Sequence, residues 1–254
     1  MNEQVVLEKI IKLVKKCGKI ILEADRSSLA IDGKEGHGNF VTEYDRKVQE
    51  ALYVGLSKIL PEATFVGEED EGEHAEIGDG YTFIVDPIDG TTNFINDYKA
   101  SAISVGLLKD QKEYMGVIYN PYLNEMFYAI KDWGAYCNGK SIHVSSKPLS
   151  EALVLFGSAP YYEELNDATF ATARTYLSHA VDLRRSGSAA IDLCNIAAGR
   201  AEVFFELRLC PWDYCAGSII IQEAGGVCVG LNKAPLTFDK NQGVLAANSL
   251  ETLL

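Results

Sequence analysis

The run YTFIVDPIDGTTNF over residues 81–94 limits most strongly what this chain can fold into. An apolar strand ends in two aspartates three positions apart, followed by Gly90 and two threonines. Strand ends that carry polar residues are where α/β folds place their sites. Pro87 fixes φ and has no N–H, which holds a tight turn in which the side chains of Asp86 and Asp89 and the carbonyl of Ile88 can converge on hard cations. Gly90, Thr91 and Thr92 can open a short helix whose N–H groups and dipole bind phosphate. The same D-x-x-D-G is also the pattern of an Asx-turn joining strand to helix, and the motif alone leaves both readings open.

Other segments repeat the theme. The strand ATFVG (63–67) runs into Glu68 and Glu69, NFVTEYD puts Asp45 at a helix start, and PWDYCAG puts Asp213 at a helix start after an apolar strand. Acids commonly cap helices, so Asp213 alone reads equally as an N-cap. Apolar positions Val6, Ile10, Leu13, Val14, Cys17 and Ile21 mark one buried helix face, and Val48, Leu52, Leu56 and Ile59 a second that stops before Pro61. Residues 101–145 read as an antiparallel meander, and beyond Pro148 the pattern turns to βαβ-like units. Two subdomains are expected: 1–147, α+β, with most of the clustered acids, and 148–254, α/β, with Asp213.

Composition excludes several functions. With 23 Lys and Arg against 36 Asp and Glu the net charge is −13, so nucleic acid and anionic membrane are repelled over most of the surface. The acid excess is either solvating or a carboxylate cluster that takes cations. The first 25 residues carry Glu and Lys every few positions, with neither a signal-peptide core nor an uninterrupted apolar span. Six cysteines without a CxxC pair read as buried reduced thiols, and a soluble cytoplasmic protein is expected.

In order and approximate spacing, GEE at 67–69, DPIDGTTNF at 86–94 and WDYCAG at 212–217 resemble the signature of the inositol monophosphatase family of Mg²⁺-dependent, lithium-sensitive sugar phosphatases. KEGHGNFVTEYD is similar to that family's mobile loop, and RRSGSAAIDLCNIAAGRAEVFFE to its substrate wall. The resemblance implies a layered α/β (α+β) sugar-phosphatase fold of alternating αβαβα layers. It implies that Glu68, Asp86 and the Ile88 carbonyl bind one Mg²⁺, that Asp86, Asp89 and Asp213 bind a second, and that a third, looser ion sits on Glu68. Thr91 and Glu68 would hydrogen-bond the attacking water, Asp45 would orient the Thr91 hydroxyl, and Lys34 would add charge from the loop. Gly90, Thr91 and Thr92 would face the phosphate, and Arg184, Ser188, Ala189 and Glu206 would form the substrate pocket. There Glu206 would accept from ring hydroxyls; by itself it is equally a solvated acid at a strand end. Cys215 departs from the family's usual Ala, a change that packing and not chemistry is expected to feel.

The implied activity is hydrolysis of a small phosphorylated polyol or sugar, first inositol 1-phosphate, then fructose 1,6-bisphosphate or a dual specificity, with adenosine 3′,5′-bisphosphate and histidinol phosphate as further relatives and a homodimer as the common assembly. Rival chemistries fit less well. A nucleophilic-aspartate phosphatase needs one residue between its aspartates, whereas Pro87 and Ile88 both intervene. No G-x-S-x-G occurs, and His37, His74, His143 and His179 are scattered singly. A phosphatase fold kept as a binding module is the non-enzymatic alternative.

Overall fold

The computed structural model describes residues 2–33, 40–70 and 77–254. Helix α1 (Glu3–Leu22) buries the stripe Val6, Ile10, Val14, Cys17 and Ile21 that its three- and four-residue spacing creates. The short antiparallel strands β1 (Ile31–Gly33) and β2 (Phe40–Thr42) lead into helix α2 (Glu43–Ile59), which buries Val48, Leu52 and Leu56 against α1. A capping box starts α2: Tyr44 N–H donates to the Thr42 hydroxyl at 3.1 Å, and Thr42 N–H donates to Asp45 at 2.7 Å.

Both helices cover one face of a seven-stranded sheet whose spatial order follows the sequence: β3 (Thr64–Gly67), β4 (Tyr81–Asp89), β5 (Ala102–Lys109), β6 (Lys112–Asn120), β7 (Glu125–Ile130), β8 (Ala135–Cys137) and β9 (Lys140–Ile142). The first pair is parallel and the rest antiparallel, so the meander expected over 101–145 is β5 to β9. Helix α3 (Thr91–Ile95) follows β4 directly. Side chains alternate along each strand. Phe83, Val85, Ile103 and Val105 therefore meet α1 and α2, while Ile84, Ala102 and Leu108 face the other way.

The second sheet is built from β10 (Leu153–Phe156), β11 (Asp182–Arg184), β12 (Val203–Leu209), β13 (Val227–Gly230) and β14 (Gln242–Ala247), in the order β11-β10-β12-β14-β13. Helix α4 (Asn166–Leu177) covers its outer face, packing Ala173 and Tyr176 on Val203, Phe205 and Leu245. Helices α5 (Ala189–Ala197) and α6 (Pro211–Glu223) fill the space between the sheets, touching Ile84 and Ile118 on one side and Phe204, Val244 and Ala246 on the other. The layers run αβαβα, the arrangement expected. A helix with sheet on both sides must be apolar all round, and nine of the thirteen residues of α6 are buried. No helix among the described residues is long and apolar enough to cross a membrane.

Glycines let α6 approach the first sheet. A Cβ at Gly116 would lie 2.5 Å from the Ala216 carbonyl oxygen, and one at Gly106 would lie 2.4 Å from the Cys215 sulfur. The Cys215 thiol thus fills a packing position above a glycine. Gly116→Ala is expected to cost about 1–3 kcal/mol by overpacking against backbone, read from the urea midpoint. Gly78→Ala, whose added methyl meets nothing within 4 Å, is expected to stay within about 0.5 kcal/mol. Equal midpoints for the two variants would contradict this packing.

Candidate active site

The site begins with a register problem. Residues three apart on a regular strand point to opposite faces, yet Asp86 pairs with Ser104 and Asp89 with Ala102. Three steps on β4 match two on β5, so one residue is extra and the strand bulges at Pro87 and Ile88. Proline has no N–H to lose from the ladder there. Opposite Ser104 and Ala102, which share a face, both aspartates turn toward α6. The parallel register Gly67 with Val85 sets Glu68 beside Asp86, and the Glu68 N–H donates to the Val85 carbonyl at 3.1 Å.

Asp213 reaches the same place from the first turn of α6. It is not the N-cap: Cys210 holds that position, Pro211 opens the helix, and Asp213 accepts the Cys210 N–H at 2.7 Å. One carboxylate oxygen from each of Asp86, Asp89 and Asp213 lies within 4.8 Å of the others. Each aspartate is also pinned by backbone. Ile88 N–H donates to Asp86 at 3.0 Å, so the Asx-turn and the convergent cluster are both present. Asp89 accepts from the Ser188 hydroxyl and from Ala190 N–H at 2.7 Å, at the N-terminus of α5.

Burial, with neighbouring carboxylates adding to it, drives these acids toward their neutral forms. Desolvation and then Glu68, Asp89 and Asp213 push Asp86 well above the usual carboxylate range, and desolvation with Asp89 and Glu68 does the same to Asp213. Asp89 is pushed up to about 6, mainly by desolvation, with Ser188 and Ala190 restraining the rise. No Lys or Arg among the described residues pairs with any of the three. Converging oxygen donors without a counter-charge fit a hard divalent cation such as Mg²⁺.

Beside them the Thr91 hydroxyl donates toward Asp45 at 3.3 Å and the Ile88 carbonyl at 3.2 Å, while the other Asp45 oxygen takes the Thr42 N–H and hydroxyl. Gly90 turns the chain from strand into α3 with φ of 89°, a left-handed conformation that only glycine adopts freely. Glu68, Asp86, Ile88, Asp89, Gly90, Thr91 and Asp213 line a cavity of about 500 Å³, whose wall also includes Thr92, Ser188, Ala189 and Glu206. Glu206 is buried and accepts from Ala159 N–H at 2.9 Å, and a Cβ on Gly157 would collide with its carboxylate. Desolvation pushes it up to about 7, against the pull of Ala159 and Arg185.

Two expectations need restating. Arg184 does not line the cavity: it ends β11 with its side chain paired to Asp182 in solvent, and the next residue, Arg185, lines the wall. Adjacent residues of an extended chain point opposite ways, and the doubled arginine hid which one turns inward. Lys34 lies outside the described residues. Arg208, Tyr161, Tyr162 and Asp192 also line the cavity. Only the alternation Phe204, Glu206, Arg208 along β12 carried a sequence signal for any of them.

The fold and its carboxylate cluster define a class of phosphomonoester hydrolase, and comparison with known proteins makes the assignment. The model of the inositol monophosphatase family matches residues 2–254. An inositol monophosphatase 2 of Solanum lycopersicum is 39% identical over 223 residues, 85% of this chain and 84% of that one. The inositol-1-monophosphatase of Bacillus subtilis is 30% identical over 93% of this chain and 89% of its own. The solved extragenic suppressor protein suhB of Bartonella henselae superposes with a TM-score of 0.89 at 31% identity, covering 96% of this chain and 94% of that one. The chain belongs to the inositol monophosphatase family.

The raised carboxyl pKa values make stability depend on pH. Asp89 near 6 and Glu206 near 7 lie above their unfolded values of about 4, so between about pH 4 and 7 the folded chain holds more protons than the unfolded one. Stability then falls as pH rises through that window. The thermal midpoint of the metal-free protein is expected to be lower at pH 8 than at pH 5.5, and Mg²⁺ to raise it more at pH 8. A metal-free midpoint that rises from pH 5.5 to 8 would contradict this.

Proposed function

We propose that this chain hydrolyses inositol 1-phosphate to inositol and phosphate, R–O–PO₃²⁻ + H₂O → R–OH + HPO₄²⁻. The observation that carries the reading is the meeting of Asp86, Asp89 and Asp213 within 4.8 Å at one end of a cavity that has Glu206 in its wall. Glu68, Asp86, Asp89, Asp213 and the Ile88 carbonyl would hold two or three Mg²⁺. When bound, such ions supply charge neutralisation for a dianionic phosphate and Lewis acidity toward its ester. With its proton committed to Asp45 or the Ile88 carbonyl, Thr91 keeps oxygen lone pairs to accept from the attacking water and orient it. Glu68 takes that water's proton as the new O–P bond forms, while the ester O–P bond breaks with its electron pair on the alcohol oxygen, which gains a proton and leaves as R–OH. Gly90, Thr91 and Thr92 face the phosphate with the first-turn N–H groups of α3. One Glu206 oxygen is held by Ala159, and the carboxylate as a whole offers acceptors for ring hydroxyls beside Ser188 and Ala189.

The relatives' names support the inositol ester over other phosphomonoesters, and fructose 1,6-bisphosphate stays the second reading. A cytoplasmic homodimer, acting on small phosphate esters without nucleic acid or membrane, with the chain divided at 147/148, completes the proposal. It draws on the charge of −13.

Glu206→Ala separates the shared chemistry from the choice of alcohol. Removing an acceptor for ring hydroxyls is expected to cost on the order of 1–3 kcal/mol, so kcat/KM for inositol 1-phosphate falls about tenfold or more. Turnover of p-nitrophenyl phosphate, which has no such hydroxyls, stays nearly unchanged, as does Mg²⁺ affinity. Equal losses on both esters would show that Glu206 supports the cluster or the fold, and the inositol reading would fall.

A further inference from the structure

The turn that carries Glu68 is gripped from one helix. After β3 the chain folds back on itself from Gly67 to Asp70: the Asp70 N–H donates to the Gly67 carbonyl at 3.3 Å, and the Asp70 carboxylate takes the Gly67 N–H at 2.7 Å. The same carboxylate accepts from the Tyr53 hydroxyl, which lies 2.8 and 2.9 Å from its two oxygens, and from the Gln49 amide nitrogen at 3.0 Å. The Gln49 amide oxygen in turn accepts the Glu69 N–H at 3.0 Å. Gly67, before Glu68, is thus held by Asp70, and Glu69, after it, by Gln49.

The grip is written into α2. Asp45, Gln49 and Tyr53 recur at intervals of four and so lie along one side of that helix. Gln49 is buried, and the Tyr53 ring packs on Phe65 of β3 with centroids 4.7 Å apart, which aims its hydroxyl at the turn. Gly67 lets both side chains reach it: a Cβ there would lie 2.3 Å from the Tyr53 hydroxyl oxygen and 2.5 Å from the Gln49 amide oxygen. Farther along the same side, Asp45 accepts from Thr91 at 3.3 Å. One helix therefore holds both groups assigned to the attacking water, Thr91 and the Glu68 turn. Of the three acids 68–70, Glu68 lines the cavity with the aspartates, while both Asp70 oxygens face donors of the chain, which makes that carboxylate a brace.

We propose that Asp70, braced by Tyr53 and Gln49, is a positioning residue that fixes the place of Glu68 relative to Thr91 and the aspartates. This rests on the reading of Glu68 as a Mg²⁺ ligand and proton acceptor in the phosphatase reaction. Removing a hydrogen-bonded partner behind a metal ligand typically costs about 10- to 100-fold in metal affinity or rate. Asp70 acts on the backbone of the turn and not on the Glu68 carboxylate itself, which places its effect at the lower end.

Mg²⁺ binding is measured by calorimetric titration for the wild type, Asp70→Ala, Tyr53→Phe and Glu68→Ala, and for each of the first two variants combined with Glu68→Ala. For the wild type, Asp70→Ala and Tyr53→Phe, kcat and KM for inositol 1-phosphate are measured as well. Asp70→Ala is expected to weaken Mg²⁺ binding and to lower kcat by about tenfold each, with KM within about twofold. Tyr53→Phe keeps the ring on Phe65 and removes only the hydroxyl, so it carries the test where Asp70→Ala fails to fold; it should lose about threefold in both. In the Glu68→Ala background neither change should weaken Mg²⁺ binding further, because the brace acts through Glu68. A lower thermal midpoint with wild-type Mg²⁺ affinity and kcat, or an equal Mg²⁺ loss with and without Glu68, would make Asp70 a structural residue and overturn the proposal. A wild type that binds Mg²⁺ but releases no phosphate would overturn the phosphatase reading, and the titrations would still decide the brace. A wild type that binds no Mg²⁺ would overturn both.

Discussion

Three carboxylates, Asp86 and Asp89 buried and Asp213 half-buried, that approach within 4.8 Å repel one another, and the surrounding structure is arranged to hold them there. The device is the same each time: a backbone N–H takes a carboxylate oxygen. Asp86 is held by Ile88 at 3.0 Å, Asp89 by Ala190 at 2.7 Å and Asp213 by Cys210 at 2.7 Å. Asp45 is held in the same manner by Thr42. Hydrogen bonds from N–H groups favour the charged form, and at Asp213 and Asp89 the helix N-terminus adds its dipole. These terms offset part of the burial penalty, and cations are left to offset the rest.

The rigid parts of the fold stand directly behind these bonds. Asp86 and Asp89 ride on a strand buried along nearly its whole length, and Asp213 on a helix pressed between two sheets. Two bulges flank the cavity, one between Asp86 and Asp89 and one between Glu206 and Leu209. The first turns both aspartates to one side; the second follows Glu206 before the chain enters α6. Asp89, from the first sheet, caps α5, from the second half of the chain, so the layers that make the core also close the site.

Much of this was legible in local pattern. Strand ends at 67 and 85 announced their acids, and the helix faces of α1 and α2 followed the 3.6 period. What local pattern missed depends on partners far along the chain. The spacing of Asp86 and Asp89 requires a bulge, which shows only once β5 supplies its register. Asp213 looked like an N-cap because an acid at a helix start usually is one, whereas Cys210, three residues earlier, caps a helix that opens at Pro211. Arg184 and Arg185 differ only in which way an extended chain turns them. The Ala159 amide that holds Glu206 comes from 47 residues away, and no periodicity reports it.

If the aspartates are kept partly protonated by burial and mutual repulsion, cation binding must expel protons. Calorimetric titration of Mg²⁺ into the metal-free chain at pH 6, repeated in two buffers of different ionisation enthalpy, measures that release directly. The account predicts about one proton or more released per chain at pH 6 and markedly fewer at pH 8.5. Mg²⁺ binding at pH 6 with no proton release would mean that the three carboxylates are already ionised without their cations, and would contradict it.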